Sequence, residues 1–191
     1  MRTILMRRVL VVALPLLLLA ATACSSGGGP APGPGPGSNT LNGAFTPELA
    51  NPGPNTMSAA EAGTAAELVT VAIQVTDMQN VFGSAFDLVY DPTLATFVGW
   101  SAGSLLEQGG NSPLYQVSAT SSGRLVVGAS RSGAVGGADA NGTVTLIHLT
   151  FRMNVAGSSL LTFQNTSVED NSNPPQAIPG LTAAGGTLSA I

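Results

Sequence analysis

From Leu68 onward the chain alternates between apolar and polar positions. In ELVTVAIQVTD, Val69, Val71, Ile73 and Val75 fall on one side, and Thr70, Ala72, Gln74 and Thr76 on the other. A period of two in β-branched residues predicts a half-buried strand. The pattern returns in AFDLVYDP, where Phe86, Leu88 and Tyr90 share a face opposite Asp87 and Val89. Asp91-Pro92 then stops the run with turn chemistry, the Asp at the first turn position and the Pro presetting φ at the next. LATFVGWSAGSLL begins a further extended run, in which Gly99 and Gly103 predict a bulge or a close backbone approach. Leu125, Val127 and Ala129 alternate in GRLVVGASRSG, and Ile147, Leu149, Phe151 and Met153 do so in GTVTLIHLTFRMNV. SSLLTFQNTSV adds a strand through Leu161 and Phe163, and GGTLSAI a terminal one. NGAFTPEL reads as a short edge strand that Pro47 terminates. In MSAAEAGTAAE, Ser58 and Glu61 stand at capping-box spacing, and Gly63 and Thr64 limit the segment to one helical turn.

These segments amount to about eight or nine strands joined by Gly, Asn, Ser and Pro turns, with no long helix. They predict an all-β chain, an antiparallel two-sheet sandwich. No long-period repeat is visible, so the pattern describes one copy of one module.

The N-terminal forty residues follow a different logic. MRTILMRR carries Arg2, Arg7 and Arg8 ahead of the apolar run VLVVALPLLLLAATA, which is too short to span a bilayer and reads as a signal peptide over residues 1–23. AATAC places Cys24 after small residues and resembles a bacterial lipobox, with Ala21 where the motif usually has Leu, Val or Ile. Cys24 is the one cysteine of the chain, so no intramolecular disulfide forms, and the resemblance implies that it is the site of lipid attachment. Ser25, rather than Asp, follows it, which by the same similarity points to the outer membrane or cell surface. Residues 24–41, rich in Gly, Pro and Ser, lack the apolar content to fold and read as an extended tether. The remaining stretch, 42–191, has the size of a single domain.

Charge narrows the class of partner. Once the leader is removed, Arg124, Arg131 and Arg152 face ten acids with no Lys, a net charge of −7. Binding to nucleic acid draws on many Lys and Arg replacing counterions, and this chain lacks them. Anionic membrane surfaces are disfavoured for the same reason, leaving the N-terminal lipid as the route to a membrane.

Catalytic equipment is sparse. His148 is the sole histidine, and because Ile147, Leu149 and Phe151 carry the apolar alternation it is expected to face the other way, with Leu146 and Thr150. A zinc site needs several His or Cys ligands, and no GxSxG motif stands on a strand-to-helix turn. Asp77, Asp87, Asp91, Glu107 and Asp139 show no spacing that marks a catalytic carboxylate pair. VEDNSNPP gathers Glu169, Asp170, Asn171 and Asn173, oxygen donors suited to calcium, but departs from the EF-hand pattern and reads as a polar loop. Asn141-Gly142-Thr143 and Asn165-Thr166-Ser167 fit the glycosylation sequon and are assigned no role. The balance favours a binding module over an enzyme, with no cofactor of its own.

The ordered motifs also carry a resemblance. VTVAIQVTDMQNVFGSAFDLVYDPTLATFVGWSAGSLL resembles the first half of a cohesin domain: a Val-rich strand, a loop with Gly, Phe-x-Leu-x-Tyr-Asp-Pro, a Leu, and a closing Gly-Ser-Leu-Leu. GRLVVGASRSGAVGGADANGTVTLIHLTF and AGSSLLTFQNTSVEDNSN continue it in order, so that it spans Asn42 to Ile191. The resemblance implies a nine-stranded jelly roll with Phe86, Leu88 and Tyr90 in the core. It implies as partner a dockerin, a calcium-loaded helical module carrying polysaccharide-degrading enzymes, so that calcium belongs to the partner. Similarity in fold to certain carbohydrate-binding modules makes direct polysaccharide binding a second reading, and a structural envelope component pairing through a strand edge is a third. Dockerin-binding cohesins use one sheet face, and the places where they carry polar residues hold Gly83, Ala85 and Ser130 here. Trp100, Tyr115 and Arg131 are the expected partner-binding anchors, being of the residue types enriched among energetic hot spots.

Overall fold

One strand of 22 residues, β3 (Leu68–Val89), organises the fold, because it is a central strand in both sheets. The computed structural model describes residues 41–191; the signal peptide, Cys24 and the tether up to residue 40 lie outside the described residues. Around β3 are β1 (Gly43–Pro47), β2 (Thr56–Ala65), β4 (Ala95–Ala102), β5 (Leu114–Ala119), β6 (Arg124–Ser130), β7 (Ala138–Met153), β8 (Gly157–Asp170), β9 (Thr182–Ala184) and β10 (Gly186–Ala190). A single 3-10 turn, Gln108–Gly110, interrupts the strands. The N-terminal half of β3 lies between β2 and β7, giving a sheet ordered β9-β2-β3-β7-β4. Its C-terminal half lies between β8 and β6, giving a sheet ordered β1-β10-β8-β3-β6-β5.

The two sequence runs expected as separate strands are thus one strand bent in the middle. The bend is made by register shifts between Thr76 and Met78 and between Met78 and Val81, with Asp77 and Asn80 at φ 46° and 60°. Such left-handed residues inside a strand form bulges and turn it sharply. Two carboxylates brace the bend: Gly142 N donates to Asp77 Oδ1 at 2.7 Å, and Asn80 N donates to Asp139 Oδ1 at 2.8 Å. Both acids therefore shape backbone.

The core lies between the sheets and is built by the alternation seen in the sequence. Val69, Val71, Ile73 and Val75 from one half of β3 pack towards Phe86, Leu88 and Tyr90 from the other, with Leu125, Val127, Ile147, Leu149, Phe151, Met153 and Leu161. Phe151 centres an aromatic group, edge-on to Tyr90 at 5.2 Å and to Phe97 at 5.9 Å, while Phe86 meets Phe163 at 5.5 Å. These are the tilted geometries that the ring quadrupole favours. The Asp91-Pro92 corner forms as expected, with Thr93 donating to Asp91 Oδ1 from both its N–H (2.8 Å) and its hydroxyl (2.7 Å).

Three local expectations are corrected. MSAAEAGTAAE forms β2 and not a helical turn, because burying Met57 and Ala59 against the sandwich outweighs the helix preference of Ala and Glu. Its pairing with β9 is parallel, where an antiparallel sandwich was expected. Leu146 does not share a side with His148: Ile73 pairs with Ile147 and Gln74 with Thr145, so Leu146 is the extra residue of a bulge and is buried beside Ile147. Asp87 stands on the polar side of its strand as expected, and is nonetheless only 4% exposed.

Candidate docking face

The outward side of β5-β6-β3-β8 can be read row by row from the register. Leu114, Ser130, Gly83 and Glu169 form the first row; Gln116, Gly128, Ala85 and Ser167 the second; Ser118, Val126, Asp87 and Gln164 the third; Arg124, Val89 and Thr162 the fourth. In the first two rows the central positions carry at most a methyl or hydroxymethyl group. They form the floor of a depression of about 520 Å³. Leu114 and Gln116 on β5 wall it on one side, and Glu169 and Pro175 on the other. The Pro175 wall is held up by the loop after β8, which folds back on the strand: Asp170 N donates to Gln176 O at 2.9 Å and Ile178 N to Val168 O at 2.8 Å.

Gly128 is the informative residue of this floor. It lies in an unbroken ladder with β3 and β5, its φ is not in the left-handed range, and a Cβ built on it meets nothing within 4 Å. The other strand glycines of the described residues each have a local reason, as at Gly186, whose Cβ would lie 2.3 Å from Phe45, or at Gly63 and Gly99, which sit at register shifts. A mid-strand glycine weakens a sheet, and without an internal reason it marks a place that another backbone approaches closely.

One row further along lies a charged cluster. Asp87 Oδ2 accepts from Asn165 Nδ2 at 2.6 Å and from Arg124 Nη2. Asn165, at φ 48°, occupies a bulge of β8 that turns its amide over Asp87. The amide of Asn165 and then the guanidinium of Arg124 hold the Asp87 carboxyl below its ordinary value of 3.8, against the opposing effect of burial.

The three expected anchors lie elsewhere. Trp100 is 44% exposed on β4 of the opposite sheet, and its ring packs at 5.2 Å on that of Tyr115. Tyr115 points inward from β5 and donates its hydroxyl to Leu146 O at 3.0 Å, the carbonyl at the β7 bulge. Burial, with the charge of Glu107 second, pushes its phenol up to about 12. The pair thus closes the gap between edge strands β4 and β5. Arg131 is 7% exposed, and its guanidinium donates to Leu106 O at 2.9 Å and Gln108 O at 2.8 Å, fastening the loop between β4 and β5. Its charge is used inside the fold, contrary to the expectation of a surface anchor. Asp87, Arg124, Asn165 and Gly128 were not singled out as site residues; the signal available was a glycine set between Val127 and Ala129 in a regular strand pattern.

The polar loop after β8 organises itself. Asp170 accepts from Ser172 N (3.0 Å), Ser172 Oγ (2.9 Å) and Gln176 N (3.0 Å), which together hold its carboxyl low. Among the described residues no group of three His, Cys, Asp or Glu side chains converges as metal ligands.

A β-sandwich whose open sheet face carries a small-residue trough lets another molecule lie close to the backbone. A family profile for the cohesin domain matches residues 56–184. The chain belongs to the cohesin family, and like other cohesins it is a non-catalytic binding module. Solved structures agree on the fold. The second type II cohesin module of the ScaA scaffoldin of Acetivibrio cellulolyticus superposes with a TM-score of 0.56 at 18% identity, covering 69% of this chain and 87% of that one. The cohesin of a type II cohesin–X–dockerin complex from the same organism gives 0.52 at 15%, covering 67% and 92%. The third ScaC cohesin, solved with the ScaB dockerin, gives 0.51 at 16%, covering 63% and 86%. No curated protein matches the sequence.

Proposed function

We propose that this cohesin docks a dockerin-type partner on the β5-β6-β3-β8 face and holds it at the cell envelope through lipid on Cys24. The observation that carries the reading is the trough floored by Gly83, Ala85, Gly128 and Ser130, with Gly128 kept free of a side chain for no reason internal to the fold. Where larger polar groups were expected, Gly83, Ala85 and Ser130 carry at most a methyl or hydroxymethyl group, so affinity comes mainly from shape and apolar contact, as in the cores of protein interfaces. Solved relatives in complex with dockerins support the partner class. The tether from residue 24 to 41 lifts the domain off the outer membrane, and the partner brings a polysaccharide-degrading enzyme. Trp100 and Tyr115, on the neighbouring edge, take a lesser share of the contact.

The test is capture of calcium-loaded dockerin modules by the full chain, with release on chelation. Retention with chelator present, or no retention in calcium, would remove dockerins from the reading. The anchor is tested separately: labelled fatty acid is incorporated into the wild type and not into Cys24→Ser, and equal labelling of both rules out Cys24 as the attachment site.

A further inference from the structure

A trough of small residues explains how a partner gets close, but not which partner or in which direction. The four rows of the face carry three charges. Glu169 lies in the first row and Arg124 in the fourth, with Asp87 buried in the third. Gly83 and Val89, which share those end rows on β3, are six residues apart, about 20 Å at the rise of a strand.

Arg124 is an unusual surface arginine. An exposed arginine ordinarily samples many rotamers and contributes little to a surface pair. Here Nη2 is held by Asp87, whose carboxylate is itself fixed by Asn165, while 45% of the Arg124 side chain stays exposed. Among the described residues Nε and Nη1 form no hydrogen bond within the chain. The guanidinium is thus held at one nitrogen, its rotamer freedom reduced and its other donors to spare, which lowers the entropic cost of binding a carboxylate. Asp87 acts as a positioning residue for that fork.

We infer that the face reads the polarity of its partner: it selects a helix whose small apolar side chains fill the Gly128 trough, with a carboxylate at the Arg124 end and a cation at the Glu169 end. This rests on the docking reading above. In a helix lying along the strands, the same-face spacing that matches the span between the charges is about 14 residues, close to four turns.

The experiment uses a surface-displayed library of calcium-loaded dockerin modules, randomised at exposed helix positions and sorted against the full chain. Sorted binders should gather Asp or Glu at one helix position and Lys or Arg about 14 residues away on the same face. Arg124→Glu should weaken them at least tenfold, and re-sorting on that variant should exchange the acid for Lys or Arg. Replacing the partner's acid with Ala should produce the same loss with this chain unaltered, which removes misfolding as an explanation. Asp87→Asn should weaken binders that carry the acid and leave the Ala-replaced binders unchanged, a coupling that a purely structural role would not give. Binders with no charge preference and equal affinity for Arg124→Glu overturn the polarity inference and leave docking standing. Failure of the wild type to retain any calcium-loaded dockerin overturns both.

Discussion

Gly128→Val separates a docking role from a folding role, because the two act in opposite directions. In the free protein the new side chain enters open space, since a Cβ at this position meets nothing within 4 Å, and its flanking outward neighbours are Ala85 and Gln116. A glycine inside a strand costs about 0.5–1 kcal/mol relative to Ala, and a β-branched residue is favoured further. The variant should therefore be more stable by about 1 kcal/mol, a rise in melting temperature of about 2–4 °C for a domain of this size. In the complex the same isopropyl group stands in the middle of the trough. Overpacking of a closely fitted contact costs about 1–3 kcal/mol, so affinity should fall roughly tenfold or more. Thermal unfolding and titration calorimetry of the full chain against a captured dockerin give both numbers. A variant that melts lower, or one that binds as well as the wild type, would refute the reading of Gly128 as space reserved for a partner.

Arg131→Ala leaves the carbonyls of Leu106 and Gln108 without their donor and should lower stability by about 2–3 kcal/mol, a melting drop of about 5–10 °C. Tyr115, with its phenol raised to about 12 by burial, stays neutral in the folded chain while an unfolded tyrosine ionises near 10; its stabilising effect is complete below pH 10 and lost as the pH rises towards 12. Tyr115→Phe should flatten that alkaline loss in unfolding curves taken between those pH values, and an unchanged slope would count against a buried, neutral phenol. Trp100→Ala should change partner affinity by less than about threefold, since its ring covers the β4–β5 edge outside the four outward rows; a loss of about tenfold, equivalent to about 1.4 kcal/mol, would move the contact surface to that edge.

The sequence revealed the core better than the site, and the residues show why. Val69 through Val75 and Phe86 through Tyr90 repeat with a period of two because each strand has one face in the sandwich, so a local pattern reports a global fact. The bends are not local in that sense. Asp77 and Asn80 take left-handed backbone only because β7 supplies the partners at Asp139 and Gly142, 59 to 65 residues away. β2 was misread for the same reason, since its Ala-rich run prefers helix until the sandwich offers a place to bury Met57. LYQVSA, which forms β5, was not among the expected strands, although Tyr115 and Val117 alternate with Gln116 and Ser118; the run is short and only half-buried at an edge. Arg131 failed as an anchor on the same principle: a guanidinium in a loop looks solvated in sequence, and its carbonyl partners are 23 and 25 residues away. The proposed docking face is marked by positions where side chains are small or missing, and an absence carries no periodicity.

One consequence of the bent strand reaches from fold to function. Because β3 crosses from one sheet to the other, the strand that floors the trough at Gly83 and Ala85 is continuous with the one that buries Val69, Val71, Ile73 and Val75. Within the trough itself, the residues between the floor positions, Ser84 and Phe86, are buried, and Leu125, Val127 and Ala129 occupy the same place on β6. Each floor position thus has at least one buried neighbour along its own strand, and it cannot shift without moving that close-packed residue. The face is consequently preorganised: the cost of ordering it was met on folding, and a partner encounters a fixed shape. That is the condition for rigid docking, in which the free and bound backbones differ little, and the proposed selection by shape depends on it.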